Sequence, residues 1–177
     1  MSEFTNLGDL IVHDRDPQKI AVMDLGGESS PREVTYGELD AMAQAVARAL
    51  LRRGLERGDR VAILSANRAE YLAAYFGIMR AGFVAVPVNY RFPRTTIHTI
   101  LEDCGAKVCL VATKDIDARL RAHQAELPAL QHVIGLDLPA SDANSWDALL
   151  TKGKSAPVPT RQAAASEIAG FIYTSGT

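Results

Sequence analysis

The sequence has no apolar run long enough to cross a bilayer. Its longest runs, Tyr71 to Met79 and Ala81 to Val88, fall far short of the roughly 20 residues a spanning helix needs, so no membrane span is expected. The N-terminus, Met1-Ser2-Glu3-Phe4, lacks a basic stretch followed by an apolar one. No secretory signal is read from it, and a cytoplasmic location is expected. A basic excess is missing too: 19 Lys and Arg stand against 21 Asp and Glu, a net charge of −2, which argues against a nucleic-acid partner. Cysteine is scarce. Cys104 and Cys109 have no further Cys or His at ligand spacing, so they read as buried free thiols rather than as zinc or redox ligands, and no metal site is expected. With 13 Gly and 8 Pro, usage is near average, which excludes collagen-like and low-complexity chains. There is no internal repeat of fixed period. No G-x-G-x-x-G follows any predicted strand, which tells against an unrelated dinucleotide-binding domain.

What is present is enough to build a core: 47% of the 177 residues are hydrophobic, sufficient for one domain or two small ones. Between about 60 and 136, short apolar runs alternate with helical periodicity, the pattern of a parallel sheet with crossover helices. Strands are expected at Arg60 to Leu64, Phe83 to Val86 (ended by Pro87), Val108 to Ala112 and His132 to Gly135. Their nearly unbroken apolar character suits strands covered on both faces. Between them, Asn67 with Glu70 reads as a capping box opening a helix that carries Tyr71, Ala74, Tyr75 and Ile78 and stops at Gly82. A helix near Thr95 to Cys104 places Ile97, Ile100, Leu101 and Cys104 on one stripe, with Gly105 as its cap. A further helix is expected over Lys114 to His123. Upstream, Thr35 with Glu38 forms a second capping box, followed by Tyr36, Leu39, Ala43, Val46 and Leu50 at helical spacing before Gly54. Arg48, Arg52, Arg53, Arg57 and Arg60 read as a solvated face whose charges suit that helix's C-terminus.

From Asp137 to Glu167 the texture shifts to Pro, Ser and Ala around Trp146, Leu149 and Leu150, a connecting segment with one short helix. It leads to Ile168-Ala169-Gly170-Phe171-Ile172-Tyr173, a strand-like run, and then Thr174-Ser175-Gly176-Thr177. Small hydroxyl residues and a glycine after a strand can wrap a phosphate with backbone and side-chain donors, although the same string also serves as a plain turn.

Tyr173-Thr174-Ser175-Gly176-Thr177 resembles the first half of the phosphate-binding loop of the adenylate-forming superfamily, which includes acyl-CoA synthetases. The likeness extends through Val34-Thr35-Tyr36-Gly37-Glu38-Leu39, Gly54 to Ile63, Asn67 and Glu70, Phe76 to Gly82, Ala85 to Arg91, and Ile100 to Val108. It covers roughly residues 20 to 136 and 167 to 177, and it most resembles bacterial acyl-CoA synthetases acting on a fatty or aromatic acid. The resemblance implies an α/β fold, a mainly parallel sheet with helices on both faces, as one subdomain of the adenylate-forming N-terminal domain. Residues 1–136 would be that subdomain, 137–167 a connection, and 168–177 a strand and the start of the phosphate loop. It also implies a two-step ligation in the full-length enzyme, using ATP, Mg²⁺ and coenzyme A. A carboxylic acid is activated as an acyl-adenylate and passed to the thiol. Thr174, Ser175, Gly176 and Thr177 would be the cofactor-binding residues here. Asn89, Tyr90 and Arg91 read as a turn after a strand.

In that family the loop lysine, the adenine, ribose and Mg²⁺ residues and the C-terminal-domain lysine all lie beyond a position equivalent to Thr177. The chain is therefore expected to be an N-terminal fragment without catalytic residues of its own, inactive alone and binding ATP weakly. At Thr95-Thr96-Ile97-His98, where relatives often carry Thr-Pro-x-Glu-Leu, His98 is read as a surface helix residue. Residues 137 to 177 are expected to be poorly ordered or packed on another chain, with self-association through exposed apolar surface. The alternative is a free-standing, non-catalytic α/β interaction module on the same scaffold.

Overall fold

The structure is a computed structural model that describes residues 6–11, 15–25, 31–112, 114–154, 163–164 and 166–174. In chain order the regular elements are β1 (Ile20–Asp24), β2 (Arg32–Thr35), α1 (Tyr36–Leu51), β3 (Arg60–Leu64), α2 (Ala69–Arg80) and β4 (Val84–Val88). They continue with α3 (Arg94–Cys104), β5 (Val108–Val111), α4 (Lys114–Ala122), β6 (His132–Gly135) and α5 (Trp146–Gly153). β3 to β6 form a four-stranded parallel sheet in the order β4-β3-β5-β6, and β1 and β2 pair as a separate antiparallel hairpin.

The apolar strands are explained by what covers them. Val61 and Ile63 of β3 join Val108 and Leu110 of β5 in a cluster with α1, α2 and α5, whereas Ala62, Leu64, Cys109 and Val111 join a second cluster with α3. Successive residues of a strand point to opposite faces, so two helical layers need strands that are apolar at every position. The chain leaves β3 for β4 on one side and returns across β3 to β5 on the other. With right-handed crossovers, that reversal puts α2 and α3 on opposite faces.

α1 begins as its sequence dictates, with the Thr35 hydroxyl accepting from Glu38 N and the Glu38 carboxylate accepting from Thr35 N at 2.8 Å. α3 buries Ile97, Ile100, Leu101 and Cys104 and ends at Gly105, whose φ of 58° suits glycine. Both cysteines are free and buried, and burial pushes the Cys104 thiol upward.

Several expectations need correction. Asn67 does not cap α2. The residue flanking the helix is Arg68, without a side-chain cap, and the first helical N–H, that of Ala69, instead donates to Asp24 Oδ2 at 3.1 Å from β1. Glu70 is drawn away from a capping box by Arg32 and Arg68, each 2.7 Å from it. Pro87 does not end its strand but sits within β4 at the margin of the sheet, where a missing N–H costs β3 nothing. The arginines are connectors more than a solvated face. Arg48 and Arg52 donate to the carbonyls of Gly153 and Lys152, tying α1 to the end of α5. Arg60 donates to the Cys104 carbonyl at 2.5 Å and to that of Gly105 at 3.2 Å, satisfying the C-terminus of α3. The short helix expected in 137–167 is α5, which packs on α1 through Trp146 and Leu149. Residues 169–171 also find a partner within the chain, on β4, so the expectation for 137–177 fails over its described residues.

Candidate functional site

In an open parallel sheet the strand order reverses at a point where adjacent loops diverge, and ligands bind outside the carboxyl ends there. Here that point lies between β3, whose crossover leads to β4, and β5, whose crossover leads to β6, and the crevice at this edge lies one strand to its side. It has a volume of about 510 Å³ and opens at the carboxyl ends of β3 and β4, lined by Ser65, Asn67, Tyr71, Asn89, Tyr90 and Arg91. Asn89 builds the turn after β4: its Oδ1 accepts from Arg91 N at 3.0 Å and its carbonyl from Phe92 N at 3.0 Å. Arg91 is exposed, with its guanidinium 5.5 Å from the Tyr90 ring centroid and its Nε donating to the Tyr90 hydroxyl at 3.1 Å. The turn reading of this segment therefore stands, and it carries a cation at the mouth of the crevice.

Behind the crevice, Glu70 is buried and paired with Arg32 and Arg68. Arg32 also reaches Asp24 and Arg68 reaches Asp137, which joins β1, β2, α2 and the loop after β6. Burial works against ionisation of Glu70, but the hydrogen bonds from Arg68 and Arg32 outweigh it and hold the carboxyl below its ordinary value. On the other face of the sheet, His98 is half-buried and lines an apolar pocket of about 100 Å³ with Leu64, Phe92, Ile97 and Leu127. Glu126 stands 2.8 Å from His123 Nδ1, 3.6 Å from His98 Nε2 and 3.5 Å from Arg94. Its carboxyl is held low, first by the His123 bond.

The run toward the expected phosphate loop follows residues 166–174. The Arg57 guanidinium clasps the Glu167 carboxylate with two hydrogen bonds, which keeps that carboxyl below its ordinary value. Ala85 N donates to Ala169 O and Phe171 N to Ala85 O, each at 3.0 Å, adding the segment in parallel to the free edge of β4. The Tyr173 hydroxyl donates to Asp103 Oδ2 at 2.5 Å. Burial, followed by that bond, pushes the phenol well above its usual value. Of the four expected phosphate-binding residues, Thr174 is placed, exposed at the end of this run, while Ser175, Gly176 and Thr177 lie outside the described residues.

The Arg57–Glu167 and Tyr173–Asp103 pairs were not legible in advance. Each joins residues far apart in sequence, 110 and 70 positions respectively, and no periodicity announces them. Among the described residues no group of three or more His, Cys, Asp or Glu could hold a metal ion, and no helix is long and apolar enough to cross a membrane.

The described residues form an open α/β sheet with a crevice at the carboxyl ends of β3 and β4 and a segment ending at Thr174 along the β4 margin. Residues 12–177 match the AMP-binding enzyme family, and the chain belongs to that family. It is 36% identical over 152 residues to a (methyl-dioxo-octahydro-indenyl)propanoyl:CoA ligase of Mycobacterium tuberculosis, covering 82% of this chain and 30% of the relative. It is 30% identical over 168 residues to a medium-chain fatty-acid–CoA ligase of Escherichia coli, covering 91% of this chain and 29% of that protein. Among solved structures, ATP-bound MatB from Rhodopseudomonas palustris superposes with a TM-score of 0.76 at 27% identity, over 98% of this chain and 33% of that one. The chain thus spans about 30% of the length of these two curated relatives.

Proposed function

We propose that this chain forms part of an ATP-dependent carboxylic acid–CoA ligase whose acid is a fatty or an aromatic one. A carboxylate oxygen attacks the α-phosphorus of ATP, the bond to pyrophosphate breaks, and an acyl-adenylate results. The thiolate of coenzyme A then attacks the acyl carbon and AMP leaves. The difficulty of the first step is repulsion between carboxylate and triphosphate, which donors fixed in advance can relieve. The observation that carries the reading is the family match, which runs through Tyr173-Thr174-Ser175-Gly176-Thr177. The exposed Thr174 hydroxyl at the end of an anchored segment fits a donor to a phosphate oxygen. Mg²⁺ would assist by neutralising phosphate charge. The described residues offer no cluster to hold it, so no step is assigned to it on this chain.

The 177 residues alone bind ATP weakly and do not adenylate, because only the start of the loop is among them. The test is acid-dependent exchange of labelled pyrophosphate into ATP by the full-length parent, across straight-chain and aromatic acids. Exchange with at least one acid, followed by CoA-dependent thioester formation, is expected. Absence of exchange with every acid would overturn the proposal, and micromolar ATP binding by the 177-residue chain in calorimetry would overturn its second part.

A further inference from the structure

We propose that Asp103 is a positioning residue for the phosphate loop: its carboxylate holds the Tyr173 hydroxyl and so fixes the backbone from which Thr174 departs. This rests on reading Tyr173 to Thr177 as the start of that loop.

The pairing of 169–171 with β4 loses its next rung. In a parallel ladder alternate residues bond to a given neighbour, and on this side of β4 the residue after Ala85 that should do so is Pro87. Proline has no N–H to give to the Phe171 carbonyl, so the rung beyond Phe171 is removed. Among the described residues, Phe171 is the last of the segment whose backbone bonds to the sheet. Phe171 and Tyr173 pack against the apolar cluster on the α3 face, and beside that contact the segment borders open space. An open groove of about 1050 Å³ runs there, lined by Arg57, Arg60, Val84, Cys104 and Tyr173 among others. Past Phe171, the Tyr173–Asp103 hydrogen bond is the tether nearest to Thr174.

Asp103 is oddly placed for a residue that serves only its own helix. It occupies the last turn of α3, directly after Glu102 and with no basic residue in that turn. A negative charge there opposes the partial charge of the helix C-terminus, so it weakens the helix. Its position is nevertheless well fixed. Arg60, at the start of β3, donates to the carbonyls of Cys104 and Gly105, which locks the end of α3 to the sheet. The route from β3 through Arg60 and the end of α3 to Asp103 and Tyr173 transmits the sheet's rigidity to the residue before the loop. A donor displaced by about 1 Å from a phosphate can cost orders of magnitude in rate, so such a tether has consequences for ATP.

Y173F removes the hydroxyl alone, and D103A removes the acceptor while relieving the charge at the helix end. In the full-length ligase each variant is expected to raise the KM for ATP by roughly three- to tenfold, the range for losing one hydrogen bond that water partly screens. The KM for the acid should be unchanged, the double variant no worse than either single one, and D103E should recover part of the loss. D103A should melt no lower than the parent, which a merely structural role does not predict. In the full-length protein, exchange of the Phe171 amide, which donates to the Ala85 carbonyl, should quicken in Y173F while α3 and β4 keep their protection. An unchanged KM for ATP in both variants, or equal rises for ATP and acid, would overturn the proposal. If the unaltered full-length protein shows no acid-dependent exchange, the loop reading falls and the positioning role with it. Amide exchange then still decides whether the tether exists.

Discussion

Replacing Glu70 by Gln preserves volume and removes one charge, which makes it a direct probe of the network behind the crevice. Glu70 has a side chain 6% exposed, and it accepts from Arg32 Nη2 and Arg68 Nε, both at 2.7 Å. A hydrogen bond to a charged group contributes about 1.5–3 kcal/mol when sheltered. The arginine side chains here are 51% and 27% exposed, so water screens part of that, and each keeps a second acid, Asp24 at 3.1 Å and Asp137 at 2.6 Å. The loss on Glu70→Gln should therefore be about 1–2 kcal/mol, below the roughly 3–5 expected when one partner of a fully buried pair is removed. The amide must also turn a donor toward one of the arginines. The sign of the pH dependence follows from the depressed carboxyl. A group whose folded pKa lies below its ordinary 4.5 adds stability that is full above that value and is lost as pH falls through the folded value. Urea unfolding of the two proteins should thus give midpoints well separated at pH 7 that draw together as the pH falls below 4.5 and through the lower folded value. Equal midpoints at pH 7, or a gap that persists undiminished in acid, would refute the reasoning.

Other substitutions test other joints. Gly153→Ala would place a Cβ 2.0 Å from the Ala45 carbonyl oxygen, so α5 must move off α1. A loss of about 1–3 kcal/mol or more is expected, read as a lower thermal midpoint, and an unchanged midpoint would deny the close approach. Leu110→Ala empties a fully buried site on β5, an inner strand, and should cost about 2–5 kcal/mol in urea unfolding. Asp24→Ala deprives Ala69 N of its acceptor and Arg32 of a partner. About 1 kcal/mol should be lost, with faster amide exchange in the first turn of α2, whereas Asn67→Ala should leave that turn unaffected.

Asn67 and Asp24 show where the sequence could be read and where it could not. The parallel strands and α1, α3 and α4 were legible because their signals are local. Apolar runs bounded by turns, a Thr-x-x-Glu box and a left-handed glycine each act within a few residues. The start of α2 offered a local signal as well, Asn67 followed three residues on by Glu70, and it misled. Glu70 gains more from two guanidiniums than from one backbone N–H, and the vacated cap passes to Asp24, 45 positions away. The β1–β2 hairpin was missed for a related reason: its strands are exposed at several positions, with Ile20 and Met23 about half in water, so the alternation that marks a strand is weak.

The candidate site divides along the same line. Its motif could be read because the residues proposed to bind phosphate, Thr174 to Thr177, sit side by side in the chain. Its support could not, since it consists of pairings between residues that are neighbours only in the folded protein. Pro87 joins the two parts. As punctuation in the sequence it suggested the end of a strand, but in the sheet it removes one rung beside a segment that must still be held. The hydrogen bond from Tyr173 to Asp103 lies just beyond the missing rung. A residue that looks like a stop signal thus withholds the donor of one rung, and past that gap the next hydrogen bond along the segment is made by a side chain, immediately before Thr174.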